Sequence, residues 1–290
     1  MATAILPLIV LVGAAGSTLS ETNLLAPRSF CGFQHIDDYA RDNDNVTLDE
    51  FPWIALLLDG TTKELKCAGT LINYRYVMTV AHCVLNPWNN NLVVRLGEFN
   101  VMTDVDCLNH TSFGEECSDP VQEYSAENII VHPDYNPRTS HNDIGLVRLS
   151  RNVEYSEYIR PICLPSTKEL DLNECVQLAA SGWGAEIDDV PPVVRKKKLA
   201  ARLLPISECM KITMFKNSLK RPTNDHLCAY EVRESSSCRG ESGSPLMLSV
   251  KNQWEQVGIV SFGFVCGLDF PTVFVKITSY LDWIKENVRP

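Results

Sequence analysis

From Trp53 to the C-terminus, apolar residues come in short runs bounded by turn residues: Trp53–Leu58, Thr70–Asn73, Tyr76–Val80, Leu92–Leu96, Ile129–Val131, Ile144–Leu149, Val176–Ala180, Leu246–Val250, Gln256–Phe262 and Thr272–Ile277. Runs of this length and spacing, rich in Val, Ile and Tyr, predict strands and an all-β barrel or sandwich. One segment breaks the pattern. Between Ser279 and Val288 the apolar residues Leu281, Ile284 and Val288 fall on one helical face, and Ser279 and Asp282 stand at capping-box spacing, which predicts a C-terminal helix. Upstream, Glu21 to Glu50 is polar, carries Asp37-Asp38 and Arg41-Asp-Asn-Asp-Asn45, and shows no alternation, so it reads as a linker without a folded domain of its own. Residues 1–20 hold an apolar run, Ala2–Val12, followed by Gly13-Ala-Ala-Gly-Ser17. They read as a secretory signal peptide cleaved between Gly16 and Ser20 and too short to span a membrane, although a basic start is missing. The chain therefore divides into 1–20, a 21–49 linker and a 50–290 domain, and is expected to be secreted and extracellular.

Composition sharpens this picture at three points. A chain of 290 residues, 45% hydrophobic, can bury one large core or two small ones. A net charge of -10 argues against nucleic acid or an anionic membrane as partner, and the one basic run, Arg195-Lys-Lys-Lys198, reads as a solvated strand edge. Eleven cysteines fit an oxidising compartment, but their spacing alone assigns no pairs. Asn45-Val-Thr47 and Asn109-His-Thr111 are candidate glycosylation sites.

Candidate chemistry centres on Cys238-Arg-Gly-Glu-Ser-Gly-Ser-Pro245, where Gly240 and Gly243 flank Ser242 and free the backbone to expose its hydroxyl on a tight turn. A serine nucleophile needs a general base, and the base needs an acid to orient it. His82 in Val80-Ala-His-Cys83 and Asp143 in Asn142-Asp-Ile-Gly-Leu-Val-Arg-Leu149 are the candidates.

With these three motifs in the order His, Asp, Ser, the chain resembles the trypsin/chymotrypsin-like serine proteases. The likeness extends to Phe51-Pro-Trp53, Cys67-Ala-Gly-Thr-Leu-Ile72, Arg95-Leu-Gly-Glu98, Arg160-Pro-Ile-Cys-Leu-Pro165, Gly182-Trp-Gly184 and Ser261-Phe-Gly263. Cys107 and Cys117 leading into Asp119-Pro-Val-Gln122 look most like the protease domains of arthropod clip-type (easter-like) cascade enzymes. A single cysteine in the linker cannot build the clip module, which is expected to be absent. The resemblance implies two six-stranded antiparallel barrels with the site between them and polypeptides or other cascade proteases as partners. It also implies an oxyanion hole from the Gly240 and Ser242 N–H groups, and substrate pairing along Ser261-Phe-Gly263. The implied disulfides are Cys31–Cys163, Cys67–Cys83, Cys107–Cys117, Cys209–Cys228 and Cys238–Cys266. Cys175 is left over, either as a buried thiol or as a link to a partner chain.

The sequence also departs from this family. Ser236 stands where trypsin-like relatives carry a carboxylate at the pocket floor, and a neutral floor cannot offset the desolvation of Lys or Arg. Gly263 is kept in one pocket wall, whereas Thr272 replaces the other expected glycine and is expected to narrow or close the pocket. Ala40-Arg-Asp-Asn43 stands in place of the apolar run whose new amino terminus orders the oxyanion hole in relatives. The acceptor aspartate has become Glu241, and Ser244 replaces the second glycine after the nucleophile. Two readings follow: a peptidase with weak or absent turnover, or a non-catalytic homologue acting as regulator or adaptor. No cofactor is expected, with one exception left open. Glu98, Asn100, Asp104 and Asp106 lie where relatives have a calcium loop, and a solvated acidic loop is the other reading.

Overall fold

A computed structural model describes residues 24–34, 46–85, 91–110, 114–167, 177–183, 185–186, 195–232, 237–239, 242–250, 252–263 and 270–290. In chain order, β1 (Ile54–Asp59), β2 (Leu65–Leu71), β3 (Tyr76–Thr79) and β4 (Leu92–Leu96) come first, with α1 (Ala81–Val84) after β3. A two-stranded hairpin follows, β5 (Cys107–His110) and β6 (Gly114–Cys117), then β7 (Gln122–Val131) and β8 (Gly145–Leu149). The second half holds β9 (Gln177–Gly182), β10 (Ala185–Glu186), β11 (Lys197–Leu204), α2 (Ile206–Cys209), α3 (Thr213–Lys216), β12 (His226–Val232), β13 (Ser237–Arg239), β14 (Pro245–Val250), β15 (Gln253–Phe262) and β16 (Thr272–Lys276). A helix, α4 (Leu281–Asn287), ends the chain.

Two closed antiparallel barrels result, in the order β1-β2-β3-β8-β7-β4 and β11-β12-β16-β15-β14-β9. β4 alternates buried and half-buried residues as one wall of a barrel must, whereas Ile54 to Leu58 of β1 are buried on both faces. The larger apolar core runs from Trp53, Leu56 and Leu96 of the first half through Met247, Ile259 and Val275 of the second, so both barrels share it. The Trp53 indole N–H points at the Met247 Sδ atom at 3.0 Å, again across the two halves.

Two local expectations need correction, and the linker gains a detail. Lys196 is buried and Lys198 pairs with the fully buried Glu50 at 3.2 Å, because β11 pairs with β9 on one side and β12 on the other; the basic run is no solvated edge. The capping box at Ser279 does not form. Ile277–Ser279 is a turn of 3-10 helix and Tyr280, without a side-chain cap, precedes α4, although Leu281, Ile284 and Val288 are buried as the pattern predicted. Within the polar stretch upstream of Glu50, Val46 and Leu48 are buried in the shared core, since two apolar side chains suffice to anchor a segment that does not alternate.

Four of the implied disulfides are present: Cys31–Cys163, Cys67–Cys83, Cys107–Cys117 and Cys209–Cys228. Cys266 and Cys175 lie outside the described residues, and with Cys266 goes the pairing of Cys238. Cys31 ties the N-terminal segment to the second barrel. There Gly32, at φ +68°, brings its backbone so close to Trp254 that an added Cβ would stand 2.2 Å from the Trp254 carbonyl oxygen.

Candidate active site

Ser242 lies on the turn entering β14, and three backbone hydrogen bonds fix that turn. Its carbonyl accepts the Ala68 N–H of β2 at 2.8 Å, the Gly243 N–H donates to Val260 at 2.9 Å, and the Val260 N–H donates to Ser244 at 2.9 Å. Gly243 takes φ +88°, a conformation that disfavours a side chain. Ser244 does not share it. Its φ is ordinary, its side chain is buried against Gly182, and its hydroxyl has no hydrogen-bond partner among the described residues.

His82 sits in α1, directly after β3, and the neighbouring Cys83 is tied to Cys67 of β2. The Cys83 sulfur lies 3.8 Å from the Ser242 carbonyl oxygen, so the disulfide brings the histidine helix against the serine turn. Asp143 stands just before β8, fully buried. Its Oδ1 accepts the His82 backbone N–H at 2.9 Å, and its Oδ2 lies 2.8 Å from His82 Nδ1 and accepts the Ser261 hydroxyl at 2.6 Å. A carboxylate holding Nδ1 in this way fixes the imidazole as the Nδ1–H tautomer and leaves Nε2 as the basic nitrogen. Two residues in left-handed backbone, Ser140 at φ 56° and Asn142 at φ 54°, aim the aspartate inward. The Asn142 side chain is pinned by donating to the Asp134 carbonyl at 3.0 Å and accepting the Tyr280 hydroxyl at 3.0 Å.

Ser261 was expected only to meet substrate, and its bond to Asp143 is a second role. Tyr280 was not expected in the site at all. No local signal marks either contact, since the partners are 118 and 138 residues apart in sequence. Gly263 is exposed, with no atom of the described residues within 4 Å of an added Cβ, and Thr272 is half-buried in β16 opposite Ala229. Gly240, Glu241, Ser236, Ala40-Arg-Asp-Asn43 and the glycosylation candidate Asn45 lie outside the described residues. Asn109 is exposed on β5.

The acidic loop does not gather its carboxylates around a common point. Glu98 is buried, accepts the Phe99 N–H and pairs with Arg95 at 3.0 Å; burial raises its carboxyl pKa against the pull of that guanidinium. Asp106 takes the Asn100 N–H at 3.0 Å and the Thr103 hydroxyl. Among the described residues, the clusters of three potential metal ligands that do converge are built on disulfide-bonded cysteines and have no free thiolates to offer.

Comparison with known proteins agrees with this geometry. The trypsin family model matches residues 41–284. Phenoloxidase-activating factor 3 of Holotrichia diomphalia is 36% identical over 289 residues, covering 96% of this chain and 80% of the relative. The CLIP domain-containing serine protease B10 of Anopheles gambiae is 38% identical over 283 residues, covering 94% and 76%. The crystal structure of Drosophila Grass, a clip serine protease of the Toll pathway, superposes with a TM-score of 0.72 at 29% identity, over 88% of this chain and 73% of that one. The chain belongs to the trypsin family of serine proteases and is related to the insect CLIP-domain proteases.

Proposed function

We propose that this protein is a secreted serine endopeptidase-family member of an extracellular proteolytic cascade, with its His-Asp-Ser machinery kept and its turnover held low. The observation that carries the reading is the buried Asp143 carboxylate, shared between His82 Nδ1 at 2.8 Å and the Ser261 hydroxyl at 2.6 Å. An unpaired buried charge is costly. Unlike the buried Glu50 and Glu98, which pair with Lys198 and Arg95, Asp143 gives its oxygens to the His82 ring, the His82 backbone and Ser261, which is how a base is oriented. Ser242 Oγ attacks the peptide carbonyl while His82 Nε2 takes its proton. The resulting imidazolium is stabilised by Asp143 and then protonates the leaving amine. Water repeats the cycle on the acyl-enzyme. The negative oxygen of each tetrahedral intermediate falls to the N–H groups of Gly240 and Ser242, and such donors are typically worth about 3–4 kcal/mol each.

Low turnover follows from the sequence around that hole. Ala40-Arg-Asp-Asn43 offers no apolar side chain to seat a new terminus, and Glu241 carries its carboxylate one methylene farther than aspartate would. The same residues favour the second reading, a regulatory homologue that uses the fold as a binding surface. In the peptidase reading, Ser236 and Thr272 favour a small or modest apolar residue before the scissile bond, or leave a pocket that binds none well.

The deciding experiment treats the secreted protein with a panel of proteases, sequences the new N-termini, and counts sites labelled by a fluorophosphonate probe. We expect labelling at Ser242 well below stoichiometric after every cleavage, and none in Ser242→Ala. Near-stoichiometric labelling with peptide hydrolysis would reject the low-turnover proposal. Complete absence of labelling in folded protein would leave the regulatory homologue.

A further inference from the structure

We propose that Lys220 makes the substrate cleft select an acidic side chain at the second or fourth residue before the scissile bond. The inference rests on the peptidase-fold reading of the cleft, and it assigns a substrate class that the pocket residues do not.

Phe262 lies between Ser261 and Gly263, at the end of β15 that passes the triad. Its ring is buried and enclosed on three sides: Phe215 of α3 at 6.3 Å and His226 of β12 at 5.8 Å, both edge-on, and the Lys220 ammonium 5.9 Å from the ring centroid. The aromatic floor beside the substrate strand is thus covered by a cation. Lys220 itself is exposed, as are Arg221 beside it on the loop between α3 and β12 and Lys216 at the end of α3. Among the described residues, no carboxylate pairs with any of these three. The acid nearest in sequence before them, Glu208, is taken by Lys211 at 2.6 Å. Elsewhere on this surface cations do find partners, as Lys63 does with Glu123 and Arg75 with Glu127. On a chain of net charge -10, an unpaired cationic spot beside the cleft is a local exception to the prevailing field.

Pleating fixes which substrate side chains meet it. Ser261 touches Asp143, so the residue before the scissile bond lies opposite Ser261 when substrate adds as an antiparallel strand. The next residue back is then opposite Phe262, and side chains directly opposite share a face. The second and fourth residues therefore point toward the Phe262 face and Lys220, while the third points away. An ammonium resting on an aromatic ring has lost some of its hydration, which strengthens its pairing with a carboxylate.

The test uses Ser242→Ala protein, so that no probe is consumed, and fluorescein-labelled hexapeptides with alanine before the bond, read by fluorescence anisotropy. The peptides carry Glu, Gln or Lys at the second, third or fourth position. Glu at the second or fourth position is expected to bind roughly 2- to 5-fold more tightly than Gln, about the range of an exposed ion pair, with the gain fading as salt rises. Glu at the third position is expected to give no gain. Lys220→Met should erase the preference while leaving the Gln peptides unchanged, and Lys220→Glu should invert it in favour of Lys. Equal binding of Glu and Gln peptides, or a preference that survives Lys220→Glu, overturns the inference while leaving the cleft reading standing. If no peptide binds at any position, the cleft reading itself fails and this inference falls with it.

Discussion

Gly243→Ala is expected to destabilise the protein by about 2–5 kcal/mol and to abolish whatever fluorophosphonate labelling Ser242 shows. The glycine is at φ +88°, and a Cβ placed there would stand 2.0 Å from the Ala68 carbonyl oxygen and 2.5 Å from the Thr79 hydroxyl. Neither neighbour can step aside cheaply. The Ala68 carbonyl already accepts that hydroxyl at 2.7 Å, and the Ala68 N–H holds the Ser242 carbonyl. The chain supplies its own control. Gly114 has the same φ of +88° with no atom of the described residues within 4 Å of an added Cβ, so Gly114→Ala is expected to carry the backbone strain alone, about 1–2 kcal/mol. Urea unfolding of the two variants measures the difference that the clash contributes. Equal midpoints would mean that the serine turn is far softer than its three hydrogen bonds imply, and would remove the argument that Ser242 is held for chemistry.

Much of this arrangement could be read from residue order, and the parts that could not share a physical reason. Strands rich in Val, Ile and Tyr, such as β4 and β15, announce themselves. β11 and β12, Lys-Lys-Leu-Ala-Ala-Arg-Leu-Leu and His-Leu-Cys-Ala-Tyr-Glu-Val, do not, because Ala, Leu, Lys and Glu favour helix as readily and only pairing with β9 and β16 makes them strands. The β5–β6 hairpin is likewise too polar to predict; its two strands are joined through Cys107 and Cys117, which stand opposite each other in the register. At the site, glycine and histidine motifs point to His82, Asp143 and Ser242, since such residues are informative one at a time. The contacts that hold them are not. Ala68, Asn142 and Tyr280 act through backbone direction or a single hydroxyl, and nothing in their local sequence distinguishes them from ordinary barrel residues. The acidic loop is the converse case, where composition leaves a cation site and a solvated loop both open. Glu98, Asp104 and Asp106 suggest a cation site by composition, but Arg95, three residues upstream on β4, reaches the Glu98 carboxylate first.

His226 should make the fold lose about 3 kcal/mol of stability between pH 6.5 and pH 4. It opens β12, is buried against Phe262 and His141, and its pKa is pushed down to about 4, chiefly by burial. The Thr223 backbone N–H donates to Nδ1 at 3.1 Å, which a protonated ring could not accept. The Ser140 carbonyl, Asp225 and Asp143 pull the pKa upward, and His141 adds to the downward push, but desolvation prevails. The sign follows from proton counts. Above pH 6.5 neither state holds the proton; between 6.5 and about 4 the unfolded chain takes it up and the folded chain does not; below that both hold it and the loss is complete. His132, also lowered by burial, adds a smaller slope in the same window, while carboxylates such as Glu127, lowered by Arg75, act at lower pH. His226→Gln can keep an acceptor for Thr223 without titrating, so its stability measured by urea unfolding should fall far less from pH 6.5 to 4 than that of the parent. An unchanged slope would place the proton elsewhere. The consequence for function is local, because Ser140 is one of the two left-handed residues that aim Asp143. Its carbonyl favours the charged ring, while protonation ends the acceptance of the Thr223 N–H, so acid is expected to loosen the Thr223 side of this packing first, next to the loop that carries Asp143.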